Sequence, residues 1–396
     1  MKNKTVVLGV TGGIAAYKSA EIVSRLRKCG VDVYVIMSRG AGNFITPFTL
    51  ETMSNHPVAT EMFHEKTHWE VEHISLAQRA DVFVVAPATA HIIAKYAHGM
   101  ADDMLSTTLL ATTAPVLFAP AMNENMWTHP ATQDNMALLR ARGVHVVGPA
   151  SGLLACGVTG QGRMEEPDVI VDAVLDLLET KKDYAGKRVM VTAGPTREAI
   201  DPVRYVSNRS SGKMGVALAL QARRRGAEVT LVHGPMEVEP PRWVKCVPVE
   251  TTEQMCQAIL NRLDDCDMLI KCAAPADFKA AYPSDQKIKK AGKDNLALDM
   301  IPTPDILTAV SEAKKNQVVI GFAAETQDVS AYAKDKMQRK GLDMIVANDV
   351  TLPGAGFGVD TNIVTVHKKD GTVYQHPLAS KEQIASFVLD QGITLF

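Results

Sequence analysis

The sequence predicts an α/β protein of two doubly wound, mostly parallel-sheet, Rossmann-like domains. Three observations carry that expectation. Short β-branched runs alternate with glycine turns and helical stretches, the pattern of a parallel sheet covered on both faces. The 396 residues exceed what one ordinary hydrophobic core organises. Near residue 180 the composition turns polar, and the strand–turn–helix pattern then starts again.

In chain order, Thr5–Val10 reads as a strand, Thr11-Gly12-Gly13 as a turn and Ile14–Cys29 as a helix stopped by Gly30. Val31–Met37, Asp81–Ala86, Val116–Ala119 and His145–Val147 read as the further strands of the first domain. The stretch Lys181-Lys182-Asp183-Tyr184-Ala185-Gly186-Lys187 is polar and turn-rich, which puts the expected boundary at 188, with domains 1–188 and 189–396. Beyond it, strands are expected at Arg188–Ala193, Glu228–His233, Met268–Cys272, Val318–Phe322 and Met344–Val346, with a helix at Val216–Arg225. Asp370-Gly371 between two alternating runs signals a hairpin, and Lys381–Asp390 a last helix.

Composition excludes several classes. With 46% apolar and 22% charged residues the chain is globular rather than disordered. A net charge of -2 provides no global basic field for nucleic acid or an anionic membrane, so phosphate chemistry must rely on local basic clusters and backbone amides. The six cysteines form no CxxC pair, which argues against zinc-ribbon spacing and a disulfide framework and fits a reducing cytoplasm. The first residues, MKNKTVVLGVTGG, read as a strand rather than a leader, and no run of roughly eighteen apolar residues predicts a membrane span.

Three loops follow strand ends in the first domain, where ligands sit in open α/β sheets. They are the Gly12-Gly13 turn, Ser38 with its neighbours, and the Pro87-Ala88-Thr89 segment; Ala121-Met122-Asn123 follows the next strand. A glycine turn opening a helix suits an anion, but GxGxxG is absent, which disfavours a dinucleotide site. An ordinary strand–helix turn remains the alternative. Taken singly, His73 reads as a structural or solvent-facing histidine, Asn123 as a cap, and Cys156 as a small buried apolar residue.

In the second domain, Ser207-Asn208-Arg209-Ser210-Ser211-Gly212-Lys213-Met214-Gly215 fails as a P-loop, because Ser207 and Met214 stand where glycine and Ser/Thr are needed. It is still a Gly/Ser-rich loop opening a helix, with donors for phosphate. The lysine run Lys287-Ile288-Lys289-Lys290 reads, unaided, as a solvated face.

Taken together the motifs are more specific. GVTGGIAAYKS, FITP, EHISLAQRAD, APATA, DDMLSTTLLA, PAMNENMW and ACGVTGQGRM, over about residues 5–170, resemble the FMN-dependent cysteine decarboxylase family. TAGPTRE, SNRSSGKMG, KIKK, GFAAET and AND, over about residues 187–366, resemble the phosphopantothenate–cysteine ligase half of bifunctional bacterial enzymes of coenzyme A biosynthesis. One departure is Val158, where the family commonly has Asp.

The resemblance implies CTP-dependent ligation of phosphopantothenate with cysteine through an acyl-cytidylate, then FMN-dependent decarboxylation. It implies that His73 orients and titrates, Asn123 holds the carboxylate, and Cys156, on a closing loop, donates the final proton. It assigns FMN to Gly12, Gly13, Ile14, Ala15, Ser38, Pro87, Ala88, Thr89, Ser106, Thr107 and Met122. In the ligase half it implies Asn208 at the acyl-cytidylate and Lys287 stabilising charge. Cytidine nucleotide falls to Cys272, Ala273, Ala274, Asp277, Lys287, Pro304, Asp305, Ile306, Leu307, Phe322, Lys336 and Lys340. Mg2+ is expected on the phosphates, with no protein ligand assigned. Partners are small molecules only, with no nucleic acid and no membrane. A homo-oligomer is expected, decarboxylase trimers and ligase dimers closing into a dodecamer. A flavin-binding protein without catalysis and an FMN-dependent prenyl-transfer protein are the alternatives. The intact His73, Asn123 and Cys156 set speaks against the first, and the second would leave residues 189–396 without a purpose.

Overall fold

A computed structural model describes residues 4–62, 71–153, 157, 159–289, 296–325, 335–349, 352, 354, 356 and 358–396. The chain forms two compact units, Met1–Thr180 and Lys181–Phe396.

In the first unit, β1 (Thr5–Val10), β2 (Asp32–Met37), β3 (Val82–Ala88), β4 (Val116–Pro120) and β5 (His145–Val146) form one parallel sheet in the order β2-β1-β3-β4-β5. Successive side chains of a strand point to opposite faces, so a sheet covered twice needs apolar residues at every position. Strand β1 shows this directly. Val6, Leu8 and Val10 join a core with Ile22, Leu26, Ile170 and Val174 from helices Lys18–Lys28 and Pro167–Leu178. Val7 joins the opposite core with Phe83, Ile93, Leu105 and Met136. The expected helix at 14–29 begins differently: Ile14–Tyr17 is a 3₁₀ turn, and the α-helix starts at Lys18. A small antiparallel ribbon, β6 (Ala150–Leu153) and β7 (Thr159–Arg163), follows the sheet.

The second unit repeats the plan. Its strands are β8 (Arg188–Ala193), β9 (Arg197–Ala199), β10 (Tyr205–Ser207), β11 (Glu228–His233), β12 (Lys245–Pro248), β13 (Met268–Lys271), β14 (Phe278–Ala280), β15 (Met300–Pro302), β16 (Val318–Glu325), β17 (Met344–Asp349), β18 (Thr361–Lys368) and β19 (Val373–Ser380). Eight of them make one sheet, β12-β11-β8-β13-β16-β17-β18-β19. It is parallel as far as β17, and β18 and β19 close it as an antiparallel hairpin around Asp370-Gly371. The short edge strand β12 carries no expectation from the sequence, because its few residues end in Pro248 and are only half-buried. Among the described residues, no helix is long and apolar enough to cross a membrane.

The division falls between residues 180 and 181, not at 188, and the reason is physical. Tyr184 is fully buried in the second core, and its hydroxyl donates to the Leu389 carbonyl at 2.8 Å. The side chain of Arg225 is also fully buried and is paired with Asp183 at 2.5 Å and Asp390 at 3.0 Å. Burial alone would lower the Arg225 pKa, but the two carboxylates hold the guanidinium charged. Polar, turn-rich sequence therefore looks like a linker while acting as the edge of a core.

A second-unit fragment starting at residue 181 is expected to be more stable than one starting at 189 by about 3–5 kcal/mol, because the shorter one loses Tyr184 and one partner of a buried charge. Urea unfolding of the two fragments measures the difference, and equal midpoints would contradict it.

Candidate active sites at the two switch points

In an open parallel sheet a crevice forms where connections leave adjacent strands in opposite directions. In the first unit this lies between β1 and β3. Thr11 is buried there and donates to the Pro87 carbonyl at 2.7 Å, while the Thr89 amide donates back to its hydroxyl at 3.3 Å. On the other side Gly12 meets the β2 loop so closely that a Cβ on it would lie 2.8 Å from the Gly40 carbonyl carbon. The Ala121 amide donates to the Ala88 carbonyl at 3.0 Å. Gly12, Gly13, Ser38, Thr89 and Met122 thus belong to loops at the carboxyl ends of neighbouring strands, and Pro87 and Ala88 are the last residues of β3. Ile14 and Ala15 follow in the 3₁₀ turn, with Ile14 61% exposed.

Ser106 and Thr107 stand on helix Met104–Ala111. Ser106 is buried and committed to a capping box with Asp103, and the Thr107 hydroxyl donates to the Met62 sulfur at 3.2 Å. Burial would push the Asp103 carboxyl up, but Lys95 at 2.7 Å and the Ser106 amide outweigh it and hold it below its ordinary value. His73 is half-buried in the first turn of helix Glu72–Arg79, which packs on the Ser106 helix. Asn123 caps helix Glu124–Thr128, its side chain accepting from the Asn125 amide at 2.9 Å. Cys156 lies outside the described residues. The ribbon on either side of it rests against the Asn123 segment: the Met122 amide donates to the Gly162 carbonyl at 2.9 Å, and the Gln161 amide to Glu124 at 3.3 Å.

The second unit's crevice lies between β8 and β13. Thr192, fully buried, accepts from the Cys272 and Ala273 amides at 3.1 and 3.0 Å, and the Ala274 amide donates to the Gly194 carbonyl at 3.0 Å. Helix Lys213–Arg224 packs close behind: a Cβ on Gly215 would lie 2.5 Å from the Ala193 Cβ. The result is a cavity of about 500 Å3. Asn208, Cys272, Ala273, Ala274, Asp277, Phe322 and Lys336, all expected from the sequence, line it together. Asn208 donates through its amide to the Pro275 carbonyl at 2.8 Å and the Ala274 carbonyl at 3.3 Å.

Other expected residues stand outside this wall. Asp305 caps helix Ile306–Ala313, and Lys340 donates to it at 2.6 Å and to Thr308 at 2.7 Å. Burial alone would raise Asp305, but Lys340 and the Thr308 amide hold it low. Ile306 and Leu307 are buried in a core cluster, with Pro304 just before the cap. Lys287 belongs to another turn, where the buried Asp201 accepts from the Val203, Arg204 and Ile288 amides. Sequence reading missed Lys271, Lys381 and Asn362 on the cavity wall, and gave no role to Lys213 and Asn348, which lie in the SNRSSGKMG and AND motifs. For Lys271 a signal existed, a charge at the carboxyl end of an apolar strand; Lys381 and Asn362 are joined to the site only by tertiary structure.

Among the described residues the cavity walls carry Arg209, Lys213, Lys271, Lys336 and Lys381 against the single acid Asp277. A chain of net charge -2 has therefore gathered cations where a polyanion would bind.

The Flavoprotein family model matches residues 1–179, and that of the DNA/pantothenate metabolism flavoprotein C-terminal domain matches residues 184–395. With these matches, the two switch-point crevices define a flavoprotein domain followed by a domain of pantothenate metabolism. The Coenzyme A biosynthesis bifunctional protein CoaBC of Bacillus subtilis is 46% identical over 394 residues, 99% of this chain and 97% of that protein. Its namesake from Escherichia coli is 45% identical over 399 residues, 100% of this chain and 98% of that protein. A solved C-terminal domain of a protein of that name is 41% identical, covering 54% of this chain and 98% of its own, with a TM-score of 0.47. The chain belongs to the family of bifunctional coenzyme A biosynthesis proteins, and is an enzyme of two activities, phosphopantothenoylcysteine decarboxylase and phosphopantothenate–cysteine ligase.

Replacing Gly12 with Ala forces the β1 and β2 turns apart. We expect a folded first unit by circular dichroism, at a cost of about 1–3 kcal/mol, and flavin affinity about tenfold to a hundredfold lower. Unchanged flavin retention on dialysis would contradict this.

Proposed function

We propose that the second unit activates phosphopantothenate with CTP and transfers the acyl group to cysteine, and that the first unit decarboxylates the product to phosphopantetheine with FMN. The observation that carries the ligase reading is the 500 Å3 cavity, which brings Asn208 together with Cys272, Ala273, Ala274, Asp277, Phe322 and Lys336 within one cationic wall. Its lysines and the amides opening helix Lys213–Arg224 suit a triphosphate. Attack of the substrate carboxylate on the α-phosphorus releases pyrophosphate and leaves an acyl-cytidylate. The cysteine amine then attacks the acyl carbon, forming the amide and expelling CMP. Asn208, fixed by two carbonyls, holds the intermediate. Mg2+ would be held largely by the phosphates and would offset their charge, with no protein ligand assigned. Pro304, Asp305, Ile306, Leu307 and Lys340 border the nucleotide beyond Lys336. Lys287 stands on the Asp201 turn, so its charge-stabilising role requires the phosphates to reach that turn or a second copy to present its own lysine.

In the first unit, the Gly12–Ala15 turn, Ser38, Pro87, Ala88, Thr89, Ser106, Thr107 and Met122 hold FMN. The group fits this chain: the turns offer amides and hydroxyls for a phosphate, and exposed Ile14 offers an apolar face for a ring. Bound flavin supplies a two-electron acceptor that later returns the pair. His73 orients the substrate and exchanges a proton, Asn123 holds its carboxylate by the amide, and Cys156 donates the last proton. Exposed Ile14, Tyr17, Phe44 and Phe48 follow the two rim turns and favour a covered face in a trimer; with ligase dimers this closes a dodecamer. Scattered, buried Cys256 and Cys266 fit a cytoplasmic setting.

Cys156→Ser is expected to accumulate an oxidised enethiol product and to stop phosphopantetheine formation, which mass spectrometry of single turnovers reads. Asn208→Ala is expected to slow CMP release about a hundredfold or more, with decarboxylation of supplied phosphopantothenoylcysteine intact. Full ligase turnover in that variant would remove Asn208 from the site. Light scattering tests the assembly, and a monomer at all concentrations that still decarboxylates would refute it.

A further inference from the structure

The amines on the cavity wall differ in their partners. Lys271 ends β13 at the switch point and lines the cavity, its Nζ donating to the Ala273 carbonyl at 3.1 Å. Among the described residues it has no carboxylate within 4 Å, whereas Lys213 is paired with Asp360 at 2.6 Å and Lys340 with Asp305 at 2.6 Å. The charged groups facing it are Lys336, from the helical stretch 335–339, Asp277, from the loop after β13, and Asp305, from the cap of helix Ile306–Ala313. The Cys272 thiol beside it is pushed up to about 12 by burial and stays neutral. Arg209, Lys213 and Lys381 complete the cationic wall.

We propose that Lys271 is a switchable cation of the nucleotide cavity, taking up a proton from solvent when the triphosphate enters and returning it when pyrophosphate leaves. The proposal rests on the ligase reading above. In the empty cavity burial lowers the amine to about 8, Lys336 adds to the effect, and the two aspartates offset only part of it. Near that pH the empty cavity holds a mixture of amine and ammonium. The negative charges of a bound triphosphate, inside the same low-dielectric wall, favour the ammonium. The step is a simple protonation, with buffer as proton donor and no bond of the nucleotide made or broken. Once pyrophosphate has gone the excess negative charge is gone too, and the amine gives its proton back. A cavity built this way grips the triphosphate more tightly than the products it must release.

The sign is definite. Above about pH 8 the free amine is mostly neutral, so binding takes up a proton and affinity falls as pH rises; below it the ammonium is already formed and uptake vanishes. Titration calorimetry of CTP with magnesium at pH 8.5, in two buffers of different ionisation enthalpy, measures the uptake directly. At that pH free phosphates are already ionised. For the unaltered enzyme we expect about one half to three quarters of a proton per nucleotide, and up to about tenfold weaker binding per pH unit above 8. Lys271→Met should bind without uptake and with a flat pH profile. Lys271→Arg, charged throughout, should keep the affinity and lose the uptake. Burial also lowers the amine of Lys381, so Lys381→Met tests that rival and should retain the uptake; thermal melts confirm that each variant is folded. Wild-type uptake in Lys271→Met, or its loss in Lys381→Met alone, would overturn the assignment. Absence of any CTP binding by the unaltered enzyme would be a different result, ending the nucleotide reading and this proposal with it.

Discussion

A buried threonine at the end of the first strand of each unit holds the site in place. Thr11 ties the β1 turn to the loop after β3, and Thr192 ties the β8 end to the loop after β13. Both act at the point where a parallel sheet changes winding direction and a crevice must open. Loop backbone there has amides and carbonyls that no strand partner satisfies, and leaving them unmet inside the protein would cost free energy. One hydroxyl meets that requirement in each case and fixes the spacing of the two lips. Everything placed on those lips, from Thr89 to Ala274, inherits its position from this contact.

The electrostatics of the second unit follow from the same geometry. Helix Lys213–Arg224 can open into the cavity only because Gly215 lets it lie against β8. Its N-terminus then faces the ends of β13, β16 and β17, and side chains far apart in sequence converge: Lys213, Lys271, Lys336 and Lys381. Lys213 and Lys381 are held by the 358–360 segment, through Asp360 and the Gly358 carbonyl for the first and the Val359 carbonyl for the second. Charges of one sign packed together are costly unless a counter-charge arrives, which is the condition a nucleotide triphosphate satisfies. In the same unit, Arg225 solves the opposite problem, a permanent charge in the core, with fixed carboxylates on either side.

The first unit is organised for a different ligand. Its rim offers turns, small residues and hydroxyls rather than lysines, and Lys18 and Lys95, the buried amines near it, are already paired with Glu166 and with Asp102 and Asp103. Through Glu166, Lys18 also anchors the end of the ribbon that flanks Cys156, since Arg163 of β7 holds the same carboxylate at 2.6 Å. The ribbon is also mounted on the Met122–Glu124 segment, at the carboxyl end of β4.

The amino-acid sequence by itself determined the alternation of strands and helices, because a doubly covered sheet demands apolar runs whose period and length are local properties. The hairpin at Asp370-Gly371 and the glycine turn at Gly12-Gly13 were legible for the same reason, and ordered motifs carried the family. The boundary at 180, the edge strand β12 and the 3₁₀ start at Ile14 were not, since each depends on what a polar or short segment packs against rather than on its own composition. The site divides along the same line. Asn208, Asp277, Phe322 and Lys336 were readable from motifs, yet only tertiary structure decided that they share one cavity, that Lys287 stands apart from it, and that Lys271 faces it without a carboxylate among the described residues. Charge and burial at a point are sums over neighbours brought there by folding, and no stretch of sequence contains that sum.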